Sequence, residues 1–197
     1  MTFQSLRVAA TSRKPWSCMP PLPPFETDTQ CPPPGRYLLT WDDVRDSLVL
    51  SEAFNKSATR PALWKELEVH RAMTECLTGS VSRMWLAGSF VSGKLHPSDV
   101  DVTYLLEADV YRAIPEGGDV EDLDNLMDRE WCIRNGMRID AYVLSLPATV
   151  DFRDLGVTGA MTPEDAEVFQ LLGLYDEIWR RCREGNGRRR GYVEVSP

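Results

Sequence analysis

Apolar and polar positions follow two periods along this chain. Between Pro61 and Gly79, the residues Leu63, Leu67, His70, Thr74 and Leu77 recur at helical spacing on one face. Proline suits the first helical position and glycine the stop, so a helix is expected over 61–79. Thr40-Trp41-Asp42-Asp43 reads as another helix start, with Thr40 as cap and Asp43 answering it, running to about Ala53. Val81 to Ala87 is a short apolar run around Met84, Trp85 and Leu86 and predicts a strand. After a loop from Gly88 to Ser98, Asp99 to Leu106 predicts a second strand and Met137 to Leu144 a third. Between them, Asp119 to Asn135 predicts a helix with Leu123, Leu126 and Met127 inward and Gly136 as its stop. Thr162-Pro163-Glu164 opens a helix to about Arg183, and Gly191 to Val195 adds a short last strand. This order predicts an α/β (α+β) protein with a mixed β-sheet flanked by helices.

The first 35 residues do not share these periods. Eight of the fourteen prolines fall between residues 15 and 35, where they can neither pair in a sheet nor continue a helix. Residues 1–35 are therefore expected to be a disordered or extended leader, and 36–197 a single domain with an Arg-rich C-terminal segment. Met19 offers an internal start, because residues 1–18 are basic and unlike the rest of the chain.

Composition narrows the setting. The chain has 197 residues, 43% of them hydrophobic and 26% charged, which suits a soluble globular domain. The five cysteines, Cys18, Cys31, Cys76, Cys132 and Cys182, are scattered and odd in number, which argues against a disulfide framework or a zinc knuckle. A reducing cytoplasm is the expected location. No apolar run approaches the length of a membrane span, so no membrane partner is expected. The net charge of −8 conceals an acidic body and a basic end: Arg180, Arg181, Arg183, Arg188, Arg189 and Arg190 crowd the C-terminal segment. Such a tail can grip phosphates, although a solubilising helix end is the simpler reading.

The chemistry concentrates in residues 85–102. Asp99 and Asp101 are separated by one valine, so on a strand both project to one face while Val100 and Val102 enter the core. Two adjacent carboxylates repel each other unless a cation lies between them, and Mg2+ prefers such oxygen ligands. Asp140 is the expected third carboxylate, with Ile139, Ala141 and Val143 alternating inward around it. Three strand-borne carboxylates can hold metals for displacement at phosphorus. Gly88 allows close backbone approach to a triphosphate, the Ser89 hydroxyl can bind its oxygens, and Lys94 can help neutralise them. The same stretch also begins like a P-loop, Gly88-x-x-x-x-Gly93-Lys94. Leu95 stands where Ser or Thr should bind magnesium, and Pro97 blocks the helix that should come next. His70 reads as a packed core histidine and His96 as a lone loop residue. Trp41, Trp64, Trp85, Trp131 and Trp179 read as packing rather than a base-stacking row.

The pattern Gly88-Ser89, a spacer, then Asp99-Val100-Asp101-Val102, with Asp140 on a later strand, resembles the DNA polymerase beta-like nucleotidyltransferase superfamily. The wider run of Pro-Pro-Gly-Arg-Tyr-Leu-Leu-Thr-Trp-Asp-Asp, Trp-Leu-Ala-Gly-Ser-Phe-Val and Pro-Ser-Asp-Val-Asp-Val is similar to a small bacterial and phage group within it, over about residues 19–197. The resemblance implies a nucleotidyltransferase fold and transfer of a nucleoside monophosphate from an NTP to a macromolecule, with release of pyrophosphate. The acceptor would be tRNA or a partner protein, in a toxin–antitoxin or phage-defence setting. By the same resemblance, Asp99 and Asp101 would bind both metals, and Asp140 would bind the one near the acceptor and help activate its hydroxyl. The chain departs from many small members at Phe90-Val91, where they carry an arginine, so a different phosphate grip is expected. The alternatives are a catalytically silent binding module or antitoxin on the same fold, and a magnesium nuclease using the same carboxylates.

Overall fold

The structure, a computed structural model, describes residues 22–114, 118–148, 162–183 and 187–196. Its centre is a five-stranded sheet of β1 (Arg36–Thr40), β2 (Arg83–Ala87), β3 (Val100–Leu106), β4 (Ile139–Ser145) and β5 (Tyr192–Ser196), in the order β1-β5-β2-β3-β4. β2 pairs antiparallel with β3 and β5, while β1–β5 and β3–β4 are parallel. The sheet is thus mixed and flanked by helices, as the order of elements predicts.

Helix α1 (Trp41–Arg45) begins with the expected capping box. Thr40 Oγ1 accepts from the Asp43 amide at 3.1 Å, and Asp43 Oδ2 accepts from the Thr40 amide at 3.1 Å. The helix then widens into a π turn over Asp46–Leu50, which places Leu48 and Val49 in the core. Extended Ser51 (ψ 151°) ends it short of the expected Ala53. Helix α2 (Arg60–Thr78) follows the prediction, ending at Gly79 with φ +81°. After β3 come α3 (Ala108–Arg112), α4 (Gly118–Met127) and α5 (Arg129–Arg134).

Three expectations change. The single helix expected over 119–135 is two, because the Asp128 side chain accepts from the Glu130 amide at 2.9 Å and starts a new helix. Helix α6 (Pro163–Trp179) stops before the expected Arg183, because the chain turns there into an antiparallel bridge, Arg181 to Arg189. Strand β1 is absent from the sequence expectation. Its Tyr37, Leu38 and Leu39 are contiguous and lack alternation, and its pairing comes entirely from β5 at the other end of the chain.

Residues 22–35, the described part of the expected leader, form neither helix nor strand. Leu22 and Phe25 lie against the core, with the Phe25 ring 6.2 Å from that of Phe54. Residues 1–21, including Met19, lie outside the described residues. Among those described, no helix is long and apolar enough to cross a membrane.

The two sheet faces differ. Val100, Val102, Tyr104, Leu106, Ile139 and Ala141 enter the main core with Leu63 and Leu67 of α2 and Leu126 of α4. His70 also belongs there, as the pattern predicts: its ring bonds the Tyr104 hydroxyl and the Leu126 carbonyl, both at 2.8 Å. The opposite face carries a smaller cluster of Trp85, Leu105, Leu144, Trp179 and Tyr192 beneath α6. Trp179 donates its indole N–H to Thr103 Oγ1 at 2.9 Å. Beyond this cover, towards the start of β3, the same face becomes acidic.

Candidate functional site

Register brings the carboxylates together. Asp101 of β3 lies directly beside Asp140 of β4 on one face of the sheet, and Asp99 precedes Asp101 by two positions. Glu66 of α2 anchors the start of β4 by accepting from the Arg138 amide at 2.8 Å and from Arg138 Nε at 3.0 Å. On the other flank, Asp101 pairs with Ala87, the last residue of β2, so the turn at Gly88-Ser89 lies against it.

Gly88 is required by that contact. Its φ is +66°, a conformation side chains rarely adopt, and a Cβ there would overlap the Asp101 carboxylate. The Ser89 hydroxyl is buried and has no hydrogen-bond partner among the described residues, a cost that proteins seldom leave uncompensated.

These groups open onto a cleft of about 520 Å³. Gly88, Ser89, Lys94, Asp99 and Asp101 line it, so five of the six residues singled out in the sequence meet there. Asp140 does not line the cleft; it stands one strand further, next to Asp101. The rest of the lining was not foreseen as part of a site. Arg183, Arg188 and Arg190 line the cleft from the bridged segment after α6, alongside Asp28 and Cys31 of the proline-rich stretch. Cys182 donates its amide to the Arg188 carbonyl at 3.1 Å, and Arg190 donates its amide to the Arg180 carbonyl at 2.8 Å, so this segment is a hairpin rather than a trailing end. Arg190 is almost buried and donates Nε–H to the Trp179 carbonyl at 3.2 Å.

Charge in the cleft is tightly opposed. Asp101 is 3% exposed. Burial pushes its carboxyl up to about 6, Asp99 and Asp140 push the same way, and Arg183 and Arg190 pull back. Arg183 Nη2 reaches Asp101 Oδ1 at 3.3 Å, and Arg129 Nη2 reaches Asp99 Oδ2 at 3.4 Å. Beside Asp140, burial first and the carboxylate second push the Tyr142 hydroxyl up to about 12.

Among the described residues, no three His, Cys, Asp or Glu side chains are gathered closely enough to cage a metal ion. The expected convergence of three acids is thus met in part: Asp101 and Asp140 are in register on β3 and β4, Asp99 falls just before β3 rather than starting it, and the three form no closed cage. The donor chemistry still fits a hard cation: the groups are carboxylate oxygens, and the central one is held far from its ordinary acidity by burial and by its two acidic neighbours.

Arg60, at the start of α2, has no signal in the sequence and yet organises the loop after Ser89. Its guanidinium is fully buried and donates to the carbonyls of Leu48 (2.9 Å), Phe90 (2.8 Å), Ser92 (2.7 Å) and Lys94 (2.8 Å). It lies 3.7 Å from the centre of the Phe54 ring, and burial lowers it to about 10, so it remains charged at neutral pH. Ser92 completes the turn by donating to the Ser89 carbonyl at 2.7 Å. His96 is also structural, its Nδ1 accepting from the Ala58 amide at 3.0 Å.

The chain has no match among curated proteins or among solved structures. Residues 23–196 match the model of a family of unknown function, DUF6932, and the chain belongs to that family.

Proposed function

We propose that this protein is a magnesium-dependent nucleotidyltransferase that moves a nucleoside monophosphate from an NTP to a macromolecular acceptor, tRNA or a partner protein, in the cytoplasm. One observation carries the reading. A buried carboxylate, Asp101, stands between Asp99 and Asp140, against a glycine turn whose Ser89 hydroxyl has no partner among the described residues, in a cleft also lined by arginines. The resemblance of the Gly88-Ser89 and Asp99-x-Asp101 pattern to nucleotidyltransferases supports the same fold and chemistry.

Asp99 and Asp101 would hold magnesium, with Asp140 completing the set towards the acceptor. The ion, when bound, supplies charge neutralisation at the reacting phosphate and makes the attacking hydroxyl more acidic. The acceptor oxygen bonds to the α-phosphorus, the α–β anhydride bond breaks, and pyrophosphate departs. The Ser89 hydroxyl and the amides of the 88–89 turn hold phosphate oxygens. Lys94, Arg183, Arg188 and Arg190 neutralise the leaving pyrophosphate, filling the role left open at Phe90-Val91. Asp140 receives the proton of the acceptor hydroxyl.

Binding of each of the four NTPs, measured calorimetrically with and without magnesium, tests this. We expect magnesium-dependent binding that weakens at least tenfold in Asp99→Asn and in Asp101→Asn, and transfer of label from an α-labelled NTP to an acceptor in cell extract. Affinity indifferent to EDTA and to both substitutions would overturn it. A second reading, a silent module or antitoxin on the same fold, is favoured by the arginine partners that already occupy Asp99 and Asp101. Metal-dependent NTP binding without any labelled product in extract would select it.

A further inference from the structure

Two cysteines from opposite ends of the described chain meet in the cleft wall. Cys31, 8% exposed, and Cys182, partly exposed, both line it, and after burial it is the Cys31 thiol beside it that holds the Cys182 thiol above its ordinary value. Both backbones are held. The Cys31 carbonyl accepts from the Glu26 amide at 2.9 Å, and its amide donates to Thr29 Oγ1 at 3.1 Å. Cys182 donates its amide to the Arg188 carbonyl, and three residues after Arg188 the Gly191 amide donates to the carbonyl of Pro32, the neighbour of Cys31, at 2.8 Å. The two cysteines therefore line one cleft on two chain segments already hydrogen-bonded side by side. The other described cysteines differ: Cys132 is buried and donates to the Leu126 carbonyl at 3.2 Å, and Cys76 is exposed on α2.

We propose that Cys31 and Cys182 form a modification site at which a peroxide produces an intramolecular disulfide, stapling the 26–35 segment to the arginine hairpin. The partly exposed Cys182 meets the oxidant. Its thiolate sulfur bonds to a peroxide oxygen, the O–O bond breaks, and the leaving oxygen departs as water, giving a sulfenic acid. The Cys31 thiolate then attacks that sulfur. The S–S bond forms, the S–O bond breaks, and a second water leaves. Two thiols lose two electrons in total, and one hydrogen peroxide is reduced to two waters. Arg188 and Arg190 beside Cys182 favour the thiolate, whereas burial and Cys31 itself hold the thiol above its ordinary value. Proximity rather than acidity therefore drives the pair. The staple holds Arg183, Arg188 and Arg190 to the cleft wall, and it needs no nucleotide chemistry, so it is independent of the proposed function. In a reducing compartment such a disulfide is a transient, signal-dependent state.

The full-length chain is exposed to hydrogen peroxide, alkylated without reductant, digested and mapped by mass spectrometry. The expected product is a peptide pair joined through Cys31 and Cys182, lighter by two hydrogens and released by dithiothreitol. Cys31→Ser and Cys182→Ser should each abolish it. Closing so long a loop should also raise the urea midpoint of the oxidised wild type above that of the reduced protein, a shift absent from both variants. The peptide map of the wild type decides the matter even if a variant folds poorly. The proposal is overturned if Cys31 and Cys182 both remain alkylatable once Cys76 has been oxidised, or if the recovered disulfides join Cys76 of two chains.

Discussion

Strand β3 carries two different proteins on its two faces. Val100, Val102 and Tyr104 are fully buried in the main core, sealed by α2 and α4. One residue away, Asp101 and Thr103 are nearly as inaccessible, yet both are polar. Thr103 is satisfied by Trp179 of α6. Asp101 lies where α6 has ended, and an exposed arginine from the hairpin partners it instead. The first face spends its burial on packing. The second keeps a carboxylate in an electrostatic position that opposes stability, and the proposed function rests on that position.

The largest effect that separates the two faces should come from Arg60, which joins them by tying the loop after Ser89 to the main core. Arg60→Ala leaves four carbonyls without their donor and opens a cavity beside Phe54, so we expect a loss of about 3–4 kcal/mol. Urea unfolding measures it. A loss below about 1 kcal/mol would mean that the loop keeps its shape without the guanidinium.

Asp101→Asn should act in the opposite direction. The folded carboxyl sits at about 6, above its ordinary 3.8, so the folded state binds more protons between those values. Stability from this group is therefore lost as pH rises through that window and does not return above it. Removing the charge should stabilise the ligand-free protein at about pH 7.5 by about 2 kcal/mol, with the gain shrinking towards about pH 4. Thermal unfolding of both proteins across that range tests the sign. A variant less stable than the wild type at every pH would refute it. The same substitution should weaken magnesium-dependent NTP binding at least tenfold, so stability and function would part at one atom.

Arg183→Ala should give the smallest effect on the fold. Its side chain is 81% exposed although its partner Asp101 is buried, so water screens the pair from the arginine side and it contributes less than about 1 kcal/mol. We expect an unchanged unfolding midpoint together with a several-fold weaker NTP affinity, read by titration calorimetry. A destabilisation beyond about 1 kcal/mol would make the arginine a structural strut of the acidic face instead.

Legibility followed distance along the chain. The helix cap at Thr40, the stop at Gly79 and the alternation around Asp99, Asp101 and Asp140 were all readable, because each depends on neighbours within a turn or a pleat. The split at Asp128 was a closer contest, since an aspartate inside a helical pattern can solvate the backbone or cap a new helix, and only packing chooses. Arg60 was invisible because its partners are carbonyls far away, which no side-chain pattern records. The arginine run was visible as charge, but its role as a cleft wall depends on a bridge between Arg181 and Arg189 and on its place beside Asp28 and Cys31.

By itself, then, the order of residues determined most of the strands and helices, the face on which the acids stand and the glycine turn opposite them, since these arise from φ/ψ preference and side-chain period. The tertiary structure alone decided that β1 pairs with β5, that the arginines close the cleft, and that two cysteines become neighbours. Those contacts form only when burial of the apolar face brings the two ends of the chain together, and that energy belongs to the whole core rather than to any segment of it.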